Sequence, residues 1–418
     1  MKIPAVLLLL ASCCFSQTGY DLVLKGGHVI DPKNNRDGVL DVAIQGGRIA
    51  AVSPNLSGKR QLDVRGLYVT PGLIDLHVHV FYNTTVPDAW AGDNSVQPDA
   101  FSFRTGVTTM ADAGSSGWRN FEAFRATVID RARTRVLAFI NIAGLGMITD
   151  RVEQGDFDAQ EVARVARKHK DVVVGVKTAH YQMPDWESVD SAIQAGKLAG
   201  IPVMVDFGYF LPERPYWRLV TERLRPGDIS THMFRGPVPY VDSSGKLFPY
   251  LAQARRRGVR FDVGHGGGSF VFRNAAPAIV QGFYPDSIST DLHTGSMNAG
   301  MIDMPTTMTK MLVLGMPLGE VVRASTWTPA QMIHRDDLGH LTVGAVADVA
   351  VWKVAEGRFG FADAANGAVT GDRRLFCELT LKDGRIVWDW NARAATDYKT
   401  LDPSYGARPG VDSIIPPP

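Results

Sequence analysis

Two histidines separated by one residue are the side chains in this sequence best suited to chemistry. His77 and His79 close the apolar run that begins at Leu73. Residues two apart on a β-strand share a face, so both imidazoles would point the same way. Convergent imidazoles suit a borderline-soft divalent cation such as Zn²⁺. A lone His-x-His pair also fits hydrogen-bonded strand residues, so the pair alone leaves both interpretations open.

Other apolar runs also end in polar side chains. Lys177 closes the apolar run over residues 172–176, where an ammonium group must reach solvent or pair with an acid to avoid a large desolvation cost. The sixth apolar run is followed by His232, the seventh contains Asp262 and is followed by His265, and the eighth is followed by Asp291. Each residue alone is better explained as a hydrogen-bonded core residue. Placed together at the strand ends of one barrel, they are better explained by a metal site.

The elements that must position these residues alternate between short apolar runs and helix-compatible stretches. The runs cover residues 73–76, 107–111, 136–140, 172–176, 201–205, 229–230, 259–263 and 287–290. Eight such units over about 270 residues match an α/β fold of the (β/α)8 TIM-like barrel type. We therefore predict a barrel over residues 71–341, with functional residues at the carboxyl ends of its strands.

Both chain ends have a different, strand-and-turn pattern. Strand-like pieces cover 21–24, 40–44, 49–52 and 68–70 near the start, and 348–352, 375–381 and 385–388 near the end. Gly26-Gly27, Gly46-Gly47 and Asp383-Gly384 are predicted as turns between these pieces. We predict that residues 20–70 and 342–395 form one small β-sandwich module. Residues 396–418 are predicted to be a surface or disordered tail.

The pattern of the first residues predicts an export signal. Lys2 precedes an apolar run over 3–10, followed by small residues, which predicts a signal peptide over residues 1–16. Leu10-Ala11-Ser12-Cys13 also resembles a bacterial lipobox, so plain secretion and lipidation at Cys13 both stay open. We expect an exported protein, periplasmic or secreted, that touches a membrane only through such an anchor. Cys377 is the one cysteine outside this segment, so no disulfide framework is expected.

The composition excludes several classes of protein. The chain has 418 residues, 45% of them hydrophobic and 21% charged, which indicates a large core rather than a disordered chain. Its 44 Lys+Arg and 43 Asp+Glu give a formal net charge of +1. A balance of this kind gives no indication of a nucleic-acid partner.

Several segments together resemble the amidohydrolase superfamily, from about Asp21 to Asn391. The segments that carry the resemblance are Pro71–His79, Thr105–Thr109, Ser325–Ala330 and Gly344–Asp348. Residues 224–232, 261–270 and 288–293 resemble the deacetylase-type branch near dihydroorotases and D-aminoacylases. The resemblance implies a hydrolase that uses one or two divalent ions, commonly Zn²⁺.

The resemblance also implies roles for individual residues. His77, His79 and Asp291 would hold the first ion, and His232 would bind the second. Lys177 would be carboxylated by CO₂ to a carbamate that bridges both ions. Asp291 would act as the general base, taking a proton from the attacking water and delivering it to the leaving group.

One position departs from the pattern of the superfamily. Asp206 stands at the end of the fifth run, where these proteins usually have a histidine that binds the second ion. A carboxylate can still ligate, and it would favour a harder ion such as Mn²⁺. Whether the chain holds one ion or two is left open.

The expected reaction is hydrolysis of an amide or ester bond in a small N-acyl or O-acyl compound. His265 would contact the substrate or the oxyanion, or else it would order the glycine-rich loop that contains it. His180 would line the pocket. We assign no role to His293. A cyclic amidase of the dihydroorotase or hydantoinase type is one alternative, although residues 80–83 after His79 contain no Arg to grip a carboxylate. A catalytically impaired, exported metal-binding homologue is another, and a homo-oligomer stays open.

Overall fold

The computed structural model of the chain describes residues 19–82, 90–147 and 156–413. The predicted signal peptide, with Cys13 and its lipobox, lies outside the described residues. So does the end of the predicted tail, whose described part up to residue 413 is largely exposed.

The described residues form two sheets surrounded by helices. The strands are β1 (Leu22–Asp31), β2 (Arg36–Gln45), β3 (Arg48–Ser53), β4 (Gln61–Asp63), β5 (Tyr68–Pro71), β6 (Leu73–Val78), β7 (Val107–Gly117), β8 (Arg135–Asn141), β9 (Val173–Ala179), β10 (Val203–Asp206), β11 (Ile229–Ser230), β12 (Arg260–Phe261), β13 (Val349–Ala362), β14 (Ala368–Lys382) and β15 (Arg385–Asp389). The helices are α1 (Trp90–Asn94), α2 (Pro98–Phe101), α3 (Phe121–Phe124), α4 (Ala159–Lys168), α5 (Glu187–Ala199), α6 (Tyr216–Arg218), α7 (Pro249–Arg256), α8 (Phe272–Val280), α9 (Met304–Val313), α10 (Leu318–Ser325) and α11 (Trp327–Met332).

The central sheet is parallel and curled. Its seven strands follow the chain in the order β6 to β12, and each pairs in parallel with its neighbour. Residues 287–292 then bond to both edges of this sheet. The amide of Val263, just after β12, donates to the Ser287 carbonyl at 3.0 Å, and the amide of His79, just after β6, donates to the Leu292 carbonyl at 2.9 Å. The predicted eighth run therefore makes only isolated bridges, but it contacts both edges of the sheet.

Side chains divide between the inside and the outside of the curled sheet. Ile74, Phe139 and Met204 pack inside, together with residues of α11. The outer face packs against the helices, as Val162 of α4 and Val189 of α5 do. The sequences of strands that are buried on both faces are near-continuous apolar runs, because neither face meets solvent. This is why the sequence predicts these strands well.

A second sheet joins the two ends of the chain. Its order is β15-β14-β13-β5-β1-β2-β3, and β4 pairs with β1 outside this path. The two ends meet where β13 runs antiparallel to β5, and Leu24, Val42, Val349 and Leu379 share one buried cluster. The pairing of both chain ends in one sheet agrees with the sequence analysis. The boundaries predicted for the module and the barrel stay predictions.

The predicted turn at Gly26-Gly27 is wrong. Both glycines lie within β1, where the register against β2 shifts between Leu24 and Gly27. A side chain at Gly27 would lie 2.5 Å from Val69 Cγ2, so glycine is needed there for close packing. A β-bulge and a turn both favour glycine, and the sequence alone does not separate them.

Two further properties bear on the protein's surroundings. Within the described part of the chain, no helix combines the length and the apolar character needed to cross a bilayer. Cys377 is buried in β14 and is not in a disulfide.

Trp352 of β13 joins the two sheets. It is buried, its indole donates a hydrogen bond to Thr70 Oγ1 at 2.9 Å, and its ring fills the space beside Gly106 at the start of β7. We expect Trp352→Ala to lower the free energy of unfolding by roughly 3–5 kcal/mol, because it leaves a large cavity and removes the hydrogen bond to Thr70.

Chemical denaturation measures this loss. The exposed Trp390 is the matched control, since Trp390→Ala should change the free energy of unfolding by only about 0.5 kcal/mol. Equal effects of the two substitutions would contradict this role for Trp352.

Candidate active site

A shift of strand register turns the His-x-His pair inward. Ile74 and Leu76 of β6 pack inside the curled sheet, whereas Val78 and Val80 pack in the outer cluster. The register against β7 shifts between Asp75 and Val78. Such an irregularity moves the following side chains to the opposite face. His77 and His79 are therefore inside, although strict alternation from Ile74 would place them outside.

Hydrogen bonds fix the orientation of both rings. His77 Nδ1 lies 2.9 Å from Thr231 Oγ1, and this hydroxyl donates to Asp262 Oδ2 at 2.7 Å. Because the hydroxyl proton is used, His77 must donate from Nδ1, which leaves a lone pair on Nε2. His79 Nδ1 lies 2.9 Å from Ser115 Oγ, so its Nε2 also faces the interior of the site. Partners of this kind are what orients histidines that bind metals.

Asp291 faces these two Nε2 atoms. Its Oδ1 lies 3.4 Å from His77 Nε2 and 3.2 Å from His79 Nε2. Its backbone is left-handed, with φ of 51°, a conformation that non-glycine residues adopt rarely. Burial opposes the charge of this carboxylate, but the neighbouring histidines outweigh it and hold the pKa of Asp291 below its usual range. Asp291 is thus an anion at neutral pH.

Lys177 of β9 is fully buried beside His77. Its Nζ lies 3.0 Å from His77 Nε2, and burial lowers the pKa of Lys177. Burial, followed by the charge of Lys177, lowers the pKa of His77 to about 3. Gly114 makes room for this lysine, because a side chain there would lie 2.6 Å from Lys177 Cγ. The site therefore accommodates an amine at the end of β9 and makes its protonation less favourable than in water.

His232 follows β11 and faces a carboxylate. Its Nδ1 lies 2.6 Å from the Gly264 carbonyl, which can only accept, so Nδ1 carries a proton. Its Nε2 lies 3.3 Å from Asp206 Oδ2. Burial disfavours the charged ring, but Asp206 outweighs it and raises the pKa of His232. Like Asp291, His232 has a left-handed backbone, with φ of 57°.

His265 does not face the other site residues directly. It is fully buried, its Nδ1 lies 2.9 Å from the Gly266 carbonyl, and its Nε2 lies 2.7 Å from Lys310 Nζ. With both ring nitrogens bonded within the protein, it holds the glycine-rich loop. Contact of His265 with substrate stays a prediction.

The donor set fits a divalent cation. His77, His232 and Asp291 offer ligand atoms that all lie within 4.8 Å of one another, and all three residues are buried. The lone pair on His77 Nε2 faces the Asp291 carboxylate, an arrangement of two acceptors that a cation between them would stabilise. Gly264 and Gly266 leave the space open, since side chains there would lie 2.8 Å from His232 Nδ1 and 2.3 Å from Asp291 Oδ2. Imidazole and carboxylate ligands of this kind are typical of Zn²⁺.

The structure brings His77, His79, Lys177, His232 and Asp291 to the carboxyl end of one sheet, with Asp206 in contact with His232. Four residues near this site were not given these roles from the sequence: Thr231 and Ser115 hold the histidine rings, and His180 and Arg235 contact Asp206. Asp262 is an anchor for hydroxyl groups rather than a ligand. Thr231, one residue before His232, could have been noticed because metal-binding histidines need such partners.

Comparison with known proteins identifies the family. The chain is 36% identical to a deacetylase of Agrobacterium fabrum over 351 residues, which cover 80% of this chain and 83% of that protein. The chain belongs to the amidohydrolase superfamily. A deacetylase of Brucella anthropi is 33% identical over 355 residues, covering 81% of this amidohydrolase and 85% of that protein. Residues 271–387 match the amidohydrolase family directly.

Solved structures agree with this assignment. The crystal structure of an adenine deaminase matches with a TM-score of 0.79 and 28% identity, over 88% of this chain and 100% of the other. The crystal structure of a dihydroorotase matches with a TM-score of 0.76 and 30% identity, over 88% of this chain and 99% of the other. This amidohydrolase is therefore a hydrolase enzyme, near deacetylases and dihydroorotases.

Gly264 tests how tightly the site is packed. A side chain there would lie 2.4 Å from Thr231 Oγ1, and the backbone φ of 47° disfavours any other residue. We expect Gly264→Ala to weaken Zn²⁺ binding by roughly tenfold or more, because it moves the partners of two site histidines.

Equilibrium dialysis with metal analysis measures this binding. Gly268→Ala in the same loop is the matched control, because nothing lies within 4 Å of a side chain at that position. Unchanged Zn²⁺ binding by Gly264→Ala would show that this packing does not matter to the site.

Proposed function

We propose that this protein is a metal-dependent hydrolase that cleaves an amide or ester bond in a small N-acyl or O-acyl compound. The observation that carries the proposal is the position of Asp291 Oδ1 within 3.4 Å of His77 Nε2 and 3.2 Å of His79 Nε2, on rings that Thr231 and Ser115 orient. We further propose that residues 287–292 act as the eighth strand of a (β/α)8 barrel, with Asp291 at its end, and that the end sheet is part of a β-sandwich.

The residues of the chain divide the work of hydrolysis. His77, His79 and Asp291 would hold a divalent ion, which supplies a more acidic water and polarises the carbonyl of the substrate. Asp291 Oδ1 faces the histidines, whereas Oδ2 lies beside Gly266. Asp291, ionised at neutral pH, would accept a proton from the attacking water and return it to the leaving amine or alcohol.

Lys177 would act as an additional anionic ligand once carboxylated. The neutral amine attacks the carbon of CO₂, a C–N bond forms, and one proton leaves, so that a carbamate replaces the amine. The lowered pKa of Lys177 supports this reaction, because only the uncharged amine is a nucleophile. A carbamate would also replace a buried amine with an oxygen ligand beside His77.

The named relatives favour deacylation over ring opening. Three deacetylase relatives each span 80% or more of the chain, whereas the dihydroorotase of Lactococcus lactis matches only 60 residues, 14% of the chain. A cyclic amidase remains the second candidate because of the similarity to a solved dihydroorotase. We also propose that the protein works after export, either secreted, periplasmic or lipid-anchored at Cys13.

A substrate panel tests the proposed reaction. Purified protein loaded with Zn²⁺ or Mn²⁺ in bicarbonate should hydrolyse members of a panel of N-acyl amino acids and acyl esters, with little activity on dihydroorotate, hydantoin or adenine. Asp291→Asn should lower kcat by about 10²–10⁴-fold, because it removes the proton acceptor. Asp372→Asn, on an exposed carboxylate of β14, is the control and should leave kcat unchanged.

Each other outcome of the panel has a defined meaning. Turnover of the cyclic compounds alone would favour the cyclic amidase. Bound metal without turnover of any compound would favour a catalytically impaired homologue. Unchanged kcat in Asp291→Asn would exclude Asp291 as the base.

Carboxylation of Lys177 has a direct spectroscopic signature. Protein loaded with metal in ¹³C-bicarbonate should show a carbamate resonance by ¹³C NMR. Lys177→Met should lack this resonance, whereas the variant of another buried lysine, Lys310→Met, should retain it. A resonance that persists in Lys177→Met would exclude this modification.

A further inference from the structure

Asp206 is a buried carboxylate whose two oxygens are both held by groups of the protein. Oδ1 accepts a hydrogen bond from Arg235 Nη1 at 3.3 Å. Oδ2 lies 2.9 Å from His180 Nε2 and 3.3 Å from His232 Nε2. A buried carboxylate needs positive or hydrogen-bonding partners, and Asp206 finds them without any added ion.

The positive charge beside Asp206 is permanent. The guanidinium of Arg235 stays protonated in proteins, so it carries its charge at every relevant pH. The Arg235 amide donates to the His232 carbonyl at 3.0 Å, which ties the start of this side chain to the end of β11. A divalent ion bound to Asp206 would therefore meet a fixed positive charge a few ångströms away, where burial weakens screening by salt.

His180 does not add a ligand for an ion at this position. Its Nδ1 is buried and has no hydrogen-bond partner among the described residues. A proton on Nδ1 would bury an unpaired donor, so the proton lies on Nε2 and is donated to Asp206. The remaining lone pair is on the opposite side of the ring from this carboxylate.

The position of His77, His79 and Asp291 differs from that of Asp206 in the groups that contact the carboxylate. There, the lone pair of His77 Nε2 faces Asp291 Oδ1, and no arginine contacts the Asp291 carboxylate in the described part of the chain. The amine nearby, on Lys177, contacts His77 rather than the Asp291 carboxylate, whereas Arg235 contacts the Asp206 carboxylate directly. The protein thus supplies an arginine cation to Asp206 but not to Asp291.

We propose that this hydrolase holds one divalent ion, at His77, His79 and Asp291, and that Arg235 takes the place of a second ion beside Asp206. The inference rests on the proposed function and makes it more specific, because it assigns the chemistry to a single ion. Asp206 then pairs with Arg235, His180 and His232 rather than binding metal.

Metal analysis of the full-length protein tests the proposal. Protein in bicarbonate is saturated with Zn²⁺, dialysed against metal-free buffer and analysed by mass spectrometry. Wild type should retain one ion per chain. Arg235→Gln removes the charge but keeps a hydrogen-bond donor, and it should bind a second ion about tenfold or more tightly than wild type. Arg235→Lys keeps the charge and should remain at one ion.

A second measurement keeps the proposal testable if one of the variants does not fold. Wild type loaded with Mn²⁺ should give the electron paramagnetic resonance spectrum of isolated ions. The double variant Asp206→His, Arg235→Gln should give the spectrum of a magnetically coupled pair. Circular dichroism melting identifies which variants are folded. If Arg235→Gln is not folded, the double variant takes its place in the metal analysis.

The outcomes separate this inference from the function on which it rests. Two tightly held ions in wild type would overturn the single-ion proposal and leave the hydrolase intact. No bound ion in wild type would overturn the proposed function itself. A folded Arg235→Gln that gains no affinity for a second ion would show that Arg235 does not exclude it.

Discussion

The site depends on a group of buried polar side chains whose lone pairs converge. His77, His79 and Asp291 each have little contact with solvent, and their ligand atoms lie between 3.2 and 3.4 Å from one another across the two histidine–aspartate pairs. Groups of this kind are costly to bury unless a cation or a proton lies between them. The parallel sheet makes the burial tolerable, because its strand ends bring all of these residues to one edge with their partners in place.

The supporting hydrogen bonds explain why the ligand atoms face inward. Asp262 accepts hydrogen bonds from Thr231, Ser287 and Ser289, so it connects the ends of β11 and β12 with residues 287–289. Thr231 passes this anchor to His77, whereas Ser115, whose amide donates to Asp112, contacts the ring of His79. The glycines at 264 and 266 keep side chains out of the space above. The site is thus held by its surroundings, which is a property of sites built on rigid elements.

Charge balance divides the site into two unequal halves. Asp291 faces histidines that can offer lone pairs, and Asp206 faces an arginine that can only donate. An aspartate in place of a histidine would add one negative charge to a buried position, and Arg235 offsets that charge within the protein. Asp206, where the resemblance implies a histidine, therefore has a local structural counterpart in Arg235, and the proposed single ion follows from this pairing.

The sequence by itself predicted the family and the seven parallel strands that the structure contains, and it named the candidate site residues. Strands buried on both faces produce long apolar runs, and a polar residue that ends such a run is visible without coordinates. Only the tertiary structure decided which other residues orient the candidate site residues. The register shift in β6 turns His77 and His79 inward, and the bulge in β1 replaces a turn predicted at Gly26-Gly27. The pairing of Asp206 with His180 and Arg235 joins residues from different strand ends, and sequence distance contains no information on such contacts. Patterns along one strand are local, whereas charge balance in a buried site depends on every element packed around it.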